Sequence, residues 1–92
     1  MTRILIFAGT TEGRRLAEYL KRAGAEVLVS VATEYGETAF EEDDRIKVHA
    51  GRMDLAEMKE FLKREGLSLV VDATHPYAQV VSANIRQACQ EC

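Results

Sequence analysis

The chain has few of the residues that mark secreted, membrane or fibrous proteins. Its 92 residues include one proline, no tryptophan and two cysteines, Cys89 and Cys92. Two cysteines at C-x-x-C spacing cannot form a disulfide scaffold, and without two further ligands they make a weak metal or redox motif. We interpret them as inert thiols of a cytoplasmic protein and expect no metal site. No apolar run approaches the roughly 18 residues that a membrane span requires, so no membrane partner is expected.

The sequence also lacks the cationic excess of a nucleic-acid-binding protein. Its 12 Lys and Arg residues are outnumbered by 15 Asp and Glu residues, and the formal net charge is −3. Nucleic-acid-binding domains carry clustered basic residues instead, so we expect no nucleic-acid partner. An anionic small molecule is not excluded, because backbone N–H groups at a helix N-terminus can bind phosphate without any net positive charge.

What the sequence does contain is a regular alternation of strand and helix patterns. Continuous apolar runs at residues 3–8, 26–31 and 67–72 predict buried strands. A shorter alternating pattern at residues 46–49 predicts a strand near a sheet edge. The acidic stretch at 32–45 predicts a polar connector. The length and the 47% apolar content are those of one ordinary globular domain.

Three helices are predicted between and after these strands. Gly24 ends the first, Asp54 and Glu57 have capping-box spacing at the start of the second, Gly66 ends it, and Pro76 suits the first turn of the third. Each helix carries an apolar stripe at helical spacing. The stripes are Leu16, Ala17, Leu20 and Ala23 in the first helix, Leu55, Met58, Phe61 and Leu62 in the second, and Val81, Ile85, Ala88 and Cys92 in the third.

This alternation predicts an α/β fold with an open, parallel, Rossmann-like sheet. We expect the strand order 3-2-1-4, helices on both faces, and a switch point between the first and fourth strands. The sequence ends inside the last helical pattern without a capping residue. We therefore expect residues 1–92 to be one domain of a longer protein.

Ligands of such sheets bind outside the carboxyl ends of the strands at the switch point, where two loops are expected to meet. In the first loop, Gly9 permits a tight turn, Thr10 and Thr11 offer hydroxyls, and the following helix presents free N–H groups. The loop is not G-x-G-x-x-G, since Thr11 and Arg14 stand at the second and third glycine positions. A phosphate-binding loop and an ordinary strand–helix turn are therefore equally supported.

The second loop gathers polar groups around a proline. Four polar residues lie within four positions of Pro76, namely Asp72, Thr74, His75 and Tyr77. His75 can donate a hydrogen bond to an anion or move a proton near neutral pH, and Tyr77 can stack on a flat ring. A purely structural role is the alternative for both residues.

Two further residues bear on the choice of ligand. Ser30 lies near the end of the second strand, where NAD-specific domains often carry an acid for the ribose hydroxyls. A hydroxyl there leaves room for the 2′-phosphate of NADPH, whereas Glu34 would favour NADH if its loop folded back. A serine at the strand end with no ligand role is the alternative for Ser30. Arg52 can bind an anionic ligand, but its proximity in sequence to Asp54 and Glu57 favours a local ion pair.

Three segments together resemble the precorrin-6A reductase family of cobalamin biosynthesis. They are ILIFAGTTEGR at 4–14, SVATEYG at 30–36, and VDATHPYA at 71–78 with Ser82, Asn84 and Ile85 after it. In this order and at these separations the resemblance is specific, and it covers essentially the whole chain. Gly51-Arg52-Met53 is more similar to the anaerobic, cobalt-precorrin branch of the family.

The resemblance implies a reductase that transfers a hydride from NADPH or NADH to the macrocycle of precorrin-6A or cobalt-precorrin-6A. The tetrapyrrole would lie in a cleft between this N-terminal nucleotide-binding domain and a second, C-terminal α/β domain. The implied cofactor-binding residues are Gly9, Thr10, Thr11, Glu12 and Gly13 in the loop, and Ser30, Thr33, Tyr35 and Gly36 at the adenosine end. The implied substrate and cleft residues are Arg52, Thr74, His75 and Tyr77.

The resemblance assigns no catalytic proton donor, because the cofactor itself delivers the hydride and the protein supplies orientation and electrostatics. The alternative function is a regulatory nucleotide-binding α/β module without catalytic activity, since a fold alone does not determine function. A phosphate-accepting receiver domain is disfavoured, because Ala8-Gly9 stands where such a domain needs an acidic pair.

Overall fold

The chain alternates between strands and helices along its described length. The structure, a computed structural model, describes residues 2–9, 11–32, 46–74 and 79–91. Within these residues the strands are β1 (Arg3–Ala8), β2 (Glu26–Val31), β3 (Ile46–Ala50) and β4 (Leu69–Ala73). The helices within them are α1 (Thr11–Arg22), α2 (Leu55–Glu65) and α3 (Gln79–Glu91). None of these helices is long and apolar enough to cross a membrane.

The four strands form one parallel sheet in the order β3-β2-β1-β4. In the middle of the sheet, Leu5 of β1 lies opposite Leu28 of β2 on one side and Val70 of β4 on the other. After β1 the chain adds β2 and then β3 on one side, and then returns to add β4 on the other side. The predicted α/β fold, its strand order and the switch point between β1 and β4 are confirmed.

Helices cover both faces of the sheet, as predicted. Successive strand side chains point to opposite faces, so β1 divides its apolar residues between two cores. One core joins Ile4, Ile6 and Ala8 of β1 to Leu16, Ala17 and Leu20 of α1. The other joins Leu5 and Phe7 to Met58 and Phe61 of α2 and to Ile85 and Ala88 of α3. Each large apolar side chain that is fully buried contributes about 1.5–3 kcal/mol relative to an exposed one.

The ends of α2 follow the predicted capping pattern. The Asp54 side chain accepts a hydrogen bond from the Glu57 amide at 2.8 Å, and the Asp54 amide donates to Glu57 Oε1 at 3.2 Å. These two bonds satisfy backbone N–H groups that the first helical turn leaves without an internal partner. At the other end Gly66 takes a left-handed conformation, with φ at 59°, which a residue without a Cβ adopts at little cost.

The end of α1 corrects one prediction. Ala23 was expected on the buried stripe, but α1 ends at Arg22 and Ala23 is exposed. The chain turns away at Gly24, with φ at 94°, and the Ala25 amide donates to the Leu20 carbonyl at 3.0 Å. This closing hydrogen bond is that of a Schellman motif, and it removes Ala23 from the helical face.

Three strand boundaries differ slightly from prediction, and one of them is the end of β4 at Ala73 instead of Asp72. β4 begins at Leu69 instead of Leu67, and β3 continues to Ala50. Leu67 packs against the core on the α2 and α3 face, and the Ser68 amide donates to the Arg3 carbonyl at 2.8 Å. The predictions for the connector beyond Ala32 and for Pro76 and Cys92 lie outside the described residues.

Candidate functional site

A cleft of about 580 Å³ opens at the carboxyl ends of the strands. Gly9 follows β1, Ser30 lies in β2, Arg52 follows β3 and Thr74 follows β4, and all four residues line this cleft. Its volume is within the range of about 300–1,000 Å³ typical of small-molecule and cofactor sites. The cleft spans the switch point, which is where open α/β sheets bind their ligands.

The structure thus brings together four site residues that are far apart in sequence. The predictions for Thr10, Thr33, Tyr35, Gly36, His75 and Tyr77 lie outside the described residues, as does the prediction for the side chain of Thr11. Glu12 is exposed in the first turn of α1 and does not line the cleft. Gly13 does not line it either and is buried.

Gly13 lies where α1 approaches the sheet most closely. A methyl group built on Gly13 would lie 3.1 Å from the Cβ of Ala73 and 3.3 Å from the Cβ of Ala8. Both distances are shorter than ordinary carbon–carbon contacts. Close packing of helix against strand is the role of the third glycine in dinucleotide-binding loops. Gly13 therefore sets the position of α1 relative to β1 and β4.

Small side chains border the cleft at the end of β2. Ser30 is 6% exposed, and the two residues after it are Val31 and Ala32. The Gly51 amide donates to the Val31 carbonyl at 2.8 Å, which holds the chain after β3 beside the end of β2. The described residues at the end of β2 carry no carboxylate, so a phosphate at this position would meet no repulsion from them.

Arg52 is exposed and its side chain remains available to a ligand in the cleft. The prediction that Arg52 forms a local ion pair with Asp54 or Glu57 is wrong. Asp54 and Glu57 instead bind each other in the capping box. Over residues 2–9, 11–32, 46–74 and 79–91, no ion pair joins Arg52 to a carboxylate.

A polar cluster lies at the β4 end of the cleft. Asp72 Oδ1 accepts hydrogen bonds from the Thr74 amide at 3.0 Å and from the Thr74 hydroxyl at 2.6 Å. The Thr74 hydroxyl oxygen lies 3.4 Å from the Ser82 hydroxyl oxygen of α3. Burial raises the pKa of Asp72, but the Ser82 and Thr74 hydroxyls, the Thr74 amide and the charge of Arg86 outweigh it and hold that pKa below its ordinary value.

The sequence indicated only part of this cluster. Asp72 and Thr74 were noticed as polar residues of one loop, but neither Ser82 nor Arg86 was expected beside them. Their spacing carries a signal in retrospect, since Ser82 and Arg86 are four residues apart and so share one face of a helix. That this face is turned toward β4 follows only from the tertiary structure.

Apolar side chains form the remaining wall of the cleft. Met53, Met58 and Val81 line it, and the same three side chains belong to or pack against the core on the α2 and α3 face. Val80 also lines the cleft and is 76% exposed. Met58 was predicted to be a packing residue of the second helix, and both methionines pack with the core as well as line the cleft. The described residues contain no group of three or more His, Cys, Asp and Glu residues suited to hold a metal.

Comparison with known proteins bears out the family resemblance. The sequence model described as precorrin-6x reductase CbiJ/CobK matches residues 3–92. A solved structure named CobK precorrin-6A reductase is similar, with 40% sequence identity and a TM-score of 0.81. That match covers 99% of this chain and 36% of the CobK chain, so the present chain spans about a third of its length. A comparison with curated proteins gave no match. The chain belongs to the precorrin-6x reductase family CbiJ/CobK.

Proposed function

We propose that this chain is the nucleotide-binding domain of a precorrin-6A reductase of cobalamin biosynthesis. The complete protein would use NADPH or NADH, which supplies a hydride, to reduce the macrocycle of precorrin-6A or cobalt-precorrin-6A. The observation that carries the proposal is the cleft at the switch point, lined by Gly9, Ser30, Arg52 and Thr74. Family membership supports the reductase activity.

The residues of the cleft suit the parts of a dinucleotide. Gly9 adds no side chain at the end of β1, and α1 begins at Thr11 with backbone N–H groups and a positive dipole end that favour phosphate. Ser30 leaves space at the end of β2, where the adenosine ribose lies in dinucleotide-binding domains. Arg52 supplies a positive charge on the same side.

The apolar wall of the cleft suits contact with the substrate or with a second domain. Phe7, Met53 and Val81 present hydrocarbon to the cleft, and Val80 is exposed at its border. Exposed apolar surface at a cleft indicates contact with a ligand or with another protein surface. Since the match covers only 36% of the CobK chain, we further propose that a second, C-terminal α/β domain closes this wall over a tetrapyrrole substrate.

The test of nucleotide binding is an NMR titration of the ¹⁵N-labelled chain with NADPH and, separately, with NADH. We expect saturable shifts of the amide signals of Gly9, Ser30, Arg52 and Thr74. Ser68, whose amide bonds to Arg3 at the opposite end of the sheet, serves as the internal control and should not shift. Unchanged signals around the cleft with both nucleotides, in this chain and again in the longer protein, would contradict the proposal.

The test of chemistry uses the longer protein of which this chain is proposed to be a part. We expect oxidation of NADPH or NADH that depends on added precorrin-6A or cobalt-precorrin-6A. The preferred nucleotide shows whether Ser30 and Arg52 accommodate a 2′-phosphate. Nucleotide binding without reductase activity would favour the regulatory module instead.

A further inference from the structure

We infer that Thr74 accepts a hydrogen bond from the carboxamide NH₂ group of the nicotinamide, and that Asp72 positions Thr74 for this role. The inference rests on the proposed function, because it assigns a partner within the same cleft. Asp72 acts through Thr74 and is a positioning residue.

The direction of the hydrogen bonds determines what Thr74 can offer a ligand. A threonine hydroxyl has one proton to donate and lone pairs with which to accept. The 2.6 Å distance between the Thr74 hydroxyl oxygen and Asp72 Oδ1 is that of a charge-assisted hydrogen bond. The proton of Thr74 is therefore committed to Asp72, and the hydroxyl oxygen is left to act as an acceptor.

The neighbours of Asp72 preserve this arrangement. The Thr74 amide donates to the same Oδ1 at 3.0 Å and fixes the residue that carries the hydroxyl. The Ser82 hydroxyl and the charge of Arg86 also stabilise the carboxylate and, with the groups of Thr74, hold the pKa of Asp72 below its ordinary value. Asp72 is consequently an ionised acceptor at neutral pH, and Thr74 keeps its orientation there.

The position of Thr74 in the sheet matches the nicotinamide end of a dinucleotide. A dinucleotide lies across the switch point, with its adenosine on the β2 side of β1. Ser30 and Arg52 line that side of the cleft, and Thr74 follows β4 on the other side. The carboxamide is the hydrogen-bond donor that the nicotinamide ring carries, so an acceptor at Thr74 complements it.

The experiment compares two nucleotides that differ only in this donor. Isothermal titration calorimetry measures the affinity of the chain for NADP⁺ and for its 3-acetylpyridine analogue, in which a methyl group replaces the NH₂ group. Losing one hydrogen bond should make the analogue bind about fivefold more weakly. If NAD⁺ binds more tightly than NADP⁺, then NAD⁺ is compared with its own 3-acetylpyridine analogue instead.

The variants locate the acceptor. Thr74→Val keeps the shape of the side chain but has no acceptor, so it should bind both nucleotides equally. Thr74→Ser keeps the hydroxyl and should restore the difference of about fivefold. Asp72→Ala frees the proton of Thr74, so the preference for the nucleotide over its 3-acetylpyridine analogue should fall in this variant too. A general loss of structure would weaken both nucleotides alike and would leave their ratio unchanged, so the ratio separates positioning from folding.

The outcomes separate this inference from the proposed function. If the unchanged chain and Thr74→Val both bind the two nucleotides, and the ratio of the two affinities is the same in both proteins, the role of Thr74 is overturned. The proposed function then remains intact. Failure of the longer protein, as well as of this chain, to bind either NADP⁺ or NAD⁺ overturns the proposed function and the inference with it.

Discussion

Asp72, which binds the cleft residue Thr74, is a carboxylate whose ionisation is affected by its surroundings. Burial alone would raise the pKa of its carboxyl, but hydrogen bonds from Ser82 and Thr74 and the charge of Arg86 lower it below the ordinary value of 3.8. A group with a lowered pKa in the folded state stabilises the fold at pH values above its pKa in the unfolded chain. That contribution is lost as the pH falls through the lower, folded value.

We therefore predict a pH-dependent effect of Asp72→Asn on stability. The variant should lower the free energy of unfolding by a constant amount from pH 7 to about pH 5, because Asp72 is ionised in both states over this range. Below the ordinary value of 3.8 the difference between the two proteins should shrink. Urea unfolding followed by circular dichroism at several pH values measures it, and Glu60→Gln, on the exposed side of α2, is the control for the loss of one carboxylate. A difference that grew toward low pH would contradict the prediction.

At the scale of elements, Gly13 controls how closely α1 packs on the sheet. Replacing glycine by alanine in a helix interior normally stabilises it by about 1 kcal/mol. Here the added methyl group would lie 3.1 Å from the Cβ of Ala73 and 3.3 Å from that of Ala8. Both neighbours are short side chains on strands and cannot turn away, and overpacking of this kind costs about 1–3 kcal/mol.

We predict that Gly13→Ala lowers the free energy of unfolding by about 1 kcal/mol, the overpacking cost being offset in part by the gain in helix propensity. Urea denaturation measures the change. The same substitution in an Ala73→Gly background removes the closer of the two contacts and should cost less. If Gly13→Ala stabilised the chain as it would an exposed helix, then α1 would not be held as closely to β4 as the structure shows.

The elements also show how far the sequence alone could lead. The strand order followed from the alternation of strand and helix patterns. The stripes of α2 and α3 followed from apolar periodicity, because burial on one face imposes that pattern. Ala23 was misplaced because a left-handed Gly24 ends α1 one residue before the pattern does. The ion pair expected for Arg52 does not form within the described residues, where Asp54 and Glu57 bind each other's backbone in the capping box instead. In both cases a local backbone requirement outweighed the pattern of side chains.

The candidate site was predictable in position but not in its internal contacts. The rule that ligands bind at the switch point predicted one site for the loops that hold Gly9 and Thr74, whereas the family resemblance was needed to include Ser30 and Arg52. The tight contact at Gly13 depends on how two elements distant in sequence approach each other. Periodicity describes each element alone and therefore cannot supply such a contact.

At the scale of the whole molecule, the cleft connects ligand binding to the stability of the entire sheet. Its lining comes from the ends of all four strands and from α2 and α3, so unfolding any of these elements destroys the site. A ligand that binds the folded chain and not the unfolded chain raises the free energy of unfolding in proportion to the logarithm of its concentration. When the ligand concentration is 100 times the dissociation constant, the free energy of unfolding increases by about 2.7 kcal/mol.

We predict this increase for whichever of NADPH and NADH binds more tightly, as measured by urea unfolding at several nucleotide concentrations. Sodium pyrophosphate at matched ionic strength is the control for a general effect of anions and should stabilise the chain much less. Gly9→Leu places a bulky side chain at the end of β1, where the phosphates are proposed to lie. This variant should lose the nucleotide-dependent increase in the free energy of unfolding. An unfolding free energy that stays constant with both nucleotides, under conditions where the sheet unfolds as one unit, would contradict a site built from the ends of all four strands.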